Sequence, residues 1–308
     1  MKEDTGKTKD KEIRKSLDAV LKASQTNSAI FPISFIHLLE SSTREDKRTQ
    51  EELLDFMIKV SKGYAIVPYV RILDYEIIYA LCNRVGKKIK NPKEFVIGKG
   101  LPYIVGAKPY LVSTDNKELE LPEKLKKELL EMTYSLKAFV LSTKNPTMIN
   151  FLKKQRTNEI QLAEQIEKTI KEDKKFDDID FRRRYSILRL FIELIAPKMS
   201  VMCSRSGFKN EEIIPPNSTR EFIENFFKSM PSIYTDWALS FRRDVVRSEK
   251  GRIDPHDSND IAALSIAIPY CDIVATDKKW QAACYQEKLG EIFNTKIIFS
   301  INDLHKYL

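Results

Sequence analysis

The stretch that decides the predicted fold is residues 257–277, DSNDIAALSIAIPYCDIVATD. Its apolar side chains recur at helical spacing, so we predict a helix that Asp260 opens and Pro269 closes. The run that follows, residues 271–276, is apolar and is predicted as a strand, and Asp277 comes directly after it. The segment is therefore typical of a helix–strand unit with carboxylates at both ends.

Helices and strands alternate in the same way at both ends of the chain. Further helices are predicted at residues 11–24, after an N-cap at Ser34, and at 50–61, 72–82, 232–248 and 278–289. Further strands are predicted at residues 29–33, 64–67 and 296–299. Such alternation favours an α/β fold with a parallel sheet.

The middle of the chain has a different pattern. Glycines punctuate residues 86–106, where the runs 95–97 and 103–105 suggest a small hairpin. Beyond them, helical spacing predicts segments at 125–141, 149–170 and 185–195, the last one ended by Pro197, and a helix capped by Ser218 or Thr219. We therefore predict an α/β core formed by residues 1–84 and 233–308, with residues 85–232 as a mainly helical insertion.

Composition excludes several classes of protein. The four cysteines form no Cys-x-x-Cys pair and only three histidines are present, so neither a zinc site nor a disulfide framework is predicted. The polar N-terminus and the lack of a long apolar run favour a cytoplasmic protein without a membrane partner. No phosphate-loop lysine motif and no Asp-x-Asp phosphatase motif occur. A formal net charge of +8 favours a polyanionic partner.

Four acidic residues could meet at one edge of the predicted sheet. Glu40 lies in the helix after strand 29–33, Asp257 and Asp260 begin a helix, and Asp277 follows a strand. Loops converge at the carboxyl ends of parallel strands, and clustered carboxylates there can hold Mg²⁺ or Mn²⁺. Each acid also has a simpler interpretation: Asp260 as a helix N-terminal charge, Asp277 as an Asx turn, and Glu40 as a solvated helix residue.

The motif DSNDIAALSIA, followed by YCDIVATD, resembles the second half of PIN-domain nucleases, and residues 34–40 resemble that family's strand, serine and helical glutamate. The segment from Pro269 to Asp272 looks like a bacterial PIN-like group with large helical insertions. The resemblance implies a PIN-like three-layer α/β/α fold with a mainly parallel sheet. It also implies a metal-dependent endoribonuclease.

The same resemblance implies roles for particular residues. Glu40, Asp260 and Asp277 would bind Mg²⁺ or Mn²⁺, and Asp257 would be an auxiliary catalytic acid. Supporting roles fall to Ser34, Asn259, Thr276 and Lys278, with Thr276 orienting a carboxylate or the attacking water.

The family's first strand and its aspartate have no counterpart before the first predicted helix. Either the chain is a shortened form, or the protein has lost part of the site. The alternative function is therefore a catalytically degenerate PIN-like binding subunit of a defence or toxin complex, with a protein partner at the helical insertion.

Basic and aromatic residues offer contacts for RNA, with single-stranded DNA as the alternative substrate. The run Arg182–Arg184 could contact phosphates or could be a solvated helix face. Lys278 and Lys279, next to Asp277, are better placed to meet a phosphate. Trp280 could stack on a base, although aromatic residues at helical spacing usually belong to the core.

Overall fold

The structure, a computed structural model, describes residues 11–42, 46–106, 122–131, 160–161, 164–168, 178–206, 209–215, 217–250 and 253–308. Helices account for 72% of it and strands for 6%. None of the described helices is both long and apolar enough to span a membrane. Residues 1–10, and most of the helices predicted at 125–141 and 149–170, lie outside the described residues.

Six of the helices that the structure describes lie in the first half of the chain: α1 Lys11–Thr26, α2 Phe35–Ser42, α3 Lys47–Ser61, α4 Tyr69–Arg84, α5 Leu101–Val105 and α6 Glu123–Glu131. Eight follow in the second half: α7 Ile179–Leu190, α8 Ala196–Ser206, α9 Asn210–Ile213, α10 Arg220–Lys228, α11 Pro231–Lys250, α12 Asp257–Tyr270, α13 Lys278–Gln286 and α14 Leu289–Phe293. Short 3-10 helices lie at Pro92–Glu94 and Ile301–Lys306.

Within the described part of the chain, the strands form two separate sheets of two strands each. Strand β1, Tyr64–Ile66, pairs antiparallel with β2, Ile97–Lys99. Strand β3, Ile273–Ala275, pairs parallel with β4, Lys296–Ile298, in the register Ile273 to Lys296. A single parallel bridge joins Ile33 to Ala65.

The prediction of a three-layer α/β/α fold with a mainly parallel sheet is therefore wrong. The apolar run at residues 29–33 contributes only its last residue to a bridge, and Ile30 is exposed. The run at 103–105 lies within helix α5, so the predicted hairpin does not form, and β2 pairs instead with β1. Short apolar runs do not distinguish a strand from a buried helical turn, which explains both errors.

Two prolines also lie inside helices that they were predicted to end. Pro269 is within α12, which continues to Tyr270. Pro197 is the second residue of α8, directly after a π-helical turn at Phe191–Ile195. In this wider turn the Ala196 N–H donates a hydrogen bond to the Phe191 carbonyl, five residues earlier. The π-helical turn thus changes the backbone hydrogen bonding directly before Pro197, which has no N–H to donate.

The largest hydrophobic core surrounds the 20-residue helix α11. Ile233, Ala238 and Leu239 on this helix are fully buried. They share one cluster with buried side chains from α4, from the predicted insertion and from the C-terminal helices, namely Ile77, Leu81, Ile195, Met199, Phe227, Ile261, Ile268 and Trp280. Apolar burial around one helix thus connects segments that are far apart in sequence.

A buried carboxylate sits at the N-terminus of α11. The side chain of Glu76, fully buried on α4, accepts hydrogen bonds from the backbone N–H of Ser232 at 2.9 and 3.0 Å and of Ile233 at 3.4 Å. The Tyr270 hydroxyl, at the end of α12, is the third donor to this carboxylate. Burial raises the pKa of Glu76, and these hydrogen bonds oppose that shift. Glu76 therefore links three helices and satisfies N–H groups that α11 cannot pair internally.

About two turns earlier on α4, a second polar contact joins α4 to α11. Tyr69, seven residues before Glu76 on α4, hydrogen-bonds the carboxyl of Asp236 on α11. Burial raises the pKa of Asp236 to about 6, while the bond from Tyr69 and the charge of Arg243 lower it. The packing of α4 on α11 is therefore fixed by hydrogen bonds as well as by apolar contact.

All four cysteines are free thiols. Burial raises the pKa of Cys271 to about 11 and that of Cys284 to about 12. These two side chains therefore behave as small apolar groups in the C-terminal core.

Glu76→Ala is expected to lower the free energy of unfolding by roughly 3 kcal/mol, because it leaves the Ser232 and Ile233 amides and the Tyr270 hydroxyl buried without their acceptor. Urea unfolding monitored by circular dichroism measures the change. The matched control is Asp74→Ala on the exposed face of the same helix, where the ion pair with Lys198 contributes at most about 1 kcal/mol. Equal losses in the two variants would contradict the role given to Glu76.

Candidate functional site

The candidate site lies where β3 turns into α13. Asp277 is the N-cap of α13, and its carboxylate accepts the backbone N–H of Trp280 at 2.8 Å. The N–H of Thr276 bonds the Ile298 carbonyl at 3.0 Å, which extends the β3–β4 pairing to the edge of the corner. Asp277 is exposed at this corner, so solvent and a ligand can reach it.

Asp260, in the first turn of α12, approaches the same corner. Its Oδ2 accepts a hydrogen bond from Trp280 Nε1 at 3.0 Å. Burial raises the pKa of Asp260; the Trp280 bond lowers it, and the negative charges of Asp277 and Asp257 raise it further. The structure therefore brings three aspartates from two segments close enough to repel one another.

Asp257, the first residue of α12, is the most buried of the three, with 1% of its surface exposed. Its carboxylate forms an ion pair with the ammonium group of Lys279. The same ammonium lies 4.4 Å from the centre of the Trp280 ring. Lys279 is thus an internal counter-ion for the acidic corner, and its charge lowers the pKa of Asp260.

Glu40 comes from neither of the two segments that form the acidic corner. It is exposed on α2, a helix that packs against α3 and belongs to a small core cluster with Leu54 and Ile104. Within the described ranges, no three His, Cys, Asp or Glu side chains are grouped so that they could hold a metal ion. The predicted ligand set of Glu40, Asp260 and Asp277 is thus not assembled as a coordination group, and its metal-binding role stays a prediction.

The supporting residues lie at two places in the structure. Ser34 Oγ accepts the backbone N–H of His37 at 3.2 Å, which is the N-cap predicted for α2. Asn259 is half-buried in the first turn of α12, beside Asp260. Lys278 is exposed as the first residue of α13. Of these, Asn259, Thr276 and Lys278 belong to the acidic corner, whereas Ser34 belongs to α2.

The sequence did not predict the partners that hold the acids in place. Trp280 binds both Asp260 and Asp277, and Lys279 pairs with Asp257. One of these contacts had a sequence signal. Trp280 lies three residues after Asp277, and in a capped helix the backbone N–H at that position donates to the side chain of the N-cap residue. Nothing in the sequence pointed to the Glu76 cap, except that Glu76 follows Ile72 by four residues and so falls on the apolar face of the predicted helix.

No protein-family model, curated protein or solved structure matches the chain. The resemblance to PIN-domain nucleases thus rests on the motif at residues 257–277 and on residues 34–40. The arrangement of the acidic corner itself is what a functional interpretation must explain.

Asp277→Asn is expected to lower the pKa of Asp260, because the negative charge of Asp277 raises that pKa more than the charge of Asp257 does. Trp280→Phe is expected to raise that pKa, because it removes a donor that favours the ionised carboxylate. Carboxyl ¹³C NMR titration of Asp260 measures both shifts.

The control is Asp272→Asn, at an exposed position just before β3, which should leave the Asp260 titration unchanged. Shifts of the same sign in Asp277→Asn and Trp280→Phe would contradict the arrangement of charges described for the corner.

Proposed function

We propose that the acidic corner of Asp257, Asp260 and Asp277 is the centre of a metal-dependent nuclease that hydrolyses phosphodiester bonds of RNA. The supporting observation is the raised pKa of Asp260, to which the charges of Asp277 and Asp257 both contribute. Like charges held together at a solvent-accessible edge are destabilising unless a cation offsets them. Carboxylate oxygens are the ligands that Mg²⁺ and Mn²⁺ prefer, so the chemical type of these side chains suits such an ion.

In this proposal Asp260 and Asp277 hold the metal ion, with Glu40 as the third ligand that the motif implies. When bound, a divalent cation lowers the pKa of coordinated water and offsets charge on the phosphoryl oxygens. The Trp280 indole keeps the Asp260 carboxylate in a fixed orientation, since Nε1 donates to Oδ2. Thr276, at the end of β3, is near enough in sequence to Asp277 to orient that carboxylate or the attacking water.

The cationic side chains of the corner support a phosphate-bearing substrate. Lys278 is exposed beside Asp277 and can approach a phosphate of the bound strand. The net charge of +8 adds a long-range attraction for polyanions. RNA is preferred to single-stranded DNA on the strength of the family resemblance, and a cytoplasmic location agrees with the four free thiols.

Asp260→Asn and Asp277→Asn are each expected to reduce Mn²⁺-dependent cleavage of a labelled RNA by about 100-fold or more, because each removes a carboxylate charge from the metal ion. Gel assays with and without EDTA measure the cleavage. Asp272→Asn is the matched control and should cleave like the unaltered protein. Full activity of both Asp260→Asn and Asp277→Asn would refute the proposal.

The Lys279–Asp257 ion pair favours a second candidate function. An ammonium already neutralises one of the three acids, as expected of a corner that is stable without a metal ion. In that case the protein is a catalytically degenerate binding subunit, with the helical insertion at residues 85–232 as its contact with a protein partner in a defence or toxin complex.

Calorimetric titration with Mn²⁺ separates the two candidates. The nuclease proposal expects saturable Mn²⁺ binding that Asp260→Asn weakens, and tighter binding in Lys279→Met, because the competing ammonium is gone. A binding subunit is expected to give no saturable heat. Saturable binding that is identical in Asp260→Asn and Asp272→Asn would place the ion elsewhere and contradict the assignment of the corner.

A further inference from the structure

One face of α13 leads away from the acidic corner. Lys278, Gln281, Ala282 and Tyr285 recur at helical spacing on this face, opposite the buried Trp280, Ala283 and Cys284. Lys278, Ala282 and Tyr285 are exposed and Gln281 is half-buried. The face begins next to Asp277 and ends at Tyr285.

Tyr285 is 82% exposed, the highest value among the large hydrophobic side chains on the described surface. A single exposed aromatic residue is ordinary by itself. Tyr285, however, borders a groove of about 670 Å³ between α13, α14 and β4. The ring therefore stands beside a concave surface.

The groove carries a net positive charge. Lys288 and Lys296 line it with a single acid, Glu291, which gives a net charge of +1. Gln281 and Asn294 add amide groups that both donate and accept hydrogen bonds. Among the described residues neither Lys278 nor Lys288 forms an ion pair, so both ammonium groups can meet an anion.

A second cavity of about 440 Å³ shares Lys288 and Glu291 with this groove. Arg183 and Lys228 also line it. Arg183 and Arg242 share the single buried carboxylate of Glu287, so these three side chains together keep a net charge of +1. Lys228 therefore continues the positive surface beyond Lys288.

We propose that this groove binds a single-stranded segment of nucleic acid, with one base stacked on Tyr285 and the backbone held by Lys288 and Lys296. The proposal rests on the proposed nuclease function and defines how its substrate is held. Along α13, Asp277 and Tyr285 are separated by roughly 12 Å, at about 1.5 Å per residue. That distance is about three to four stacked nucleotides at 3.4 Å each, so one strand reaches both the groove and the acidic corner.

The chemistry of the groove selects single strands over duplexes. Base pairs in a duplex already stack on each other, whereas an unpaired base offers its face to an aromatic ring. Lysines contact the backbone without regard to sequence, and the amides of Gln281 and Asn294 can reach the edge of an unstacked base. The expected ligand is therefore a short unpaired RNA segment bound with little sequence preference.

The test is fluorescence anisotropy of a labelled 12-nucleotide single-stranded RNA in EDTA, where no metal-dependent cleavage occurs. Tyr285→Ala is expected to weaken binding about tenfold, and Tyr285→Phe, which keeps the stacking ring, by less than about twofold. Lys288→Gln should lower the slope of log affinity against log salt by about 0.7, while Lys59→Gln, on the exposed side of α3, should not change it.

Two results would contradict the proposal that the groove binds single-stranded RNA. One is equal affinity of Tyr285→Ala and the unaltered protein for the RNA, and the other is equal affinity of the protein for single-stranded and duplex oligonucleotides. Absence of any oligonucleotide binding would also overturn it, and would leave the exposed tyrosine as a contact for a protein. Failure of the groove is distinct from failure of the nuclease proposal. Tyr285-dependent binding without Mn²⁺-dependent cleavage supports the groove alone, whereas cleavage that depends on Asp260 but not on Tyr285 supports the acidic corner alone.

Discussion

The carboxylate of Glu76, buried against the N-terminus of α11, is the contact on which the arrangement of the helices depends. It joins residues 156 positions apart in the chain, and its third donor, Tyr270, is the last residue of α12. Because β3 begins shortly after Tyr270, the same contact sets where the strand leaves the helix. The position of Asp277 at the end of β3 follows from it, and so does the first turn of α13.

Helices were the part of the fold that the sequence predicted well. Periodic apolar side chains placed α1, α3, α4 and α11 within a few residues of their observed bounds, and Thr219 caps α10 as predicted. Strands were predicted less well, since a run of four or five apolar residues fits either a strand or a buried turn. The prediction of a mainly parallel sheet was wrong for this reason. No local sequence pattern indicated that β1 pairs with β2.

The candidate site shows the same division between local and long-range information. The spacing within residues 257–277 predicted that Asp257, Asp260 and Asp277 lie close together. In the structure, the charges of Asp257 and Asp277 both raise the pKa of Asp260. The partners of these acids depend on how the first turn of α13 faces α12, which no periodicity encodes. Glu40 lies on α2. Its distance from the acidic corner depends on how the part of the fold around β1 and β2 packs against the part around β3 and β4, which a sequence pattern does not specify.

The buried cysteines have a practical consequence for experiments on this chain. At neutral pH a thiol whose pKa is about 12, as for Cys284, is almost entirely protonated and reacts slowly with alkylating reagents. Its labelling therefore requires the C-terminal core to open, so the labelling rate reports the free energy of that opening. The native chain thus carries its own probe of local stability beside α13, without an introduced reporter group.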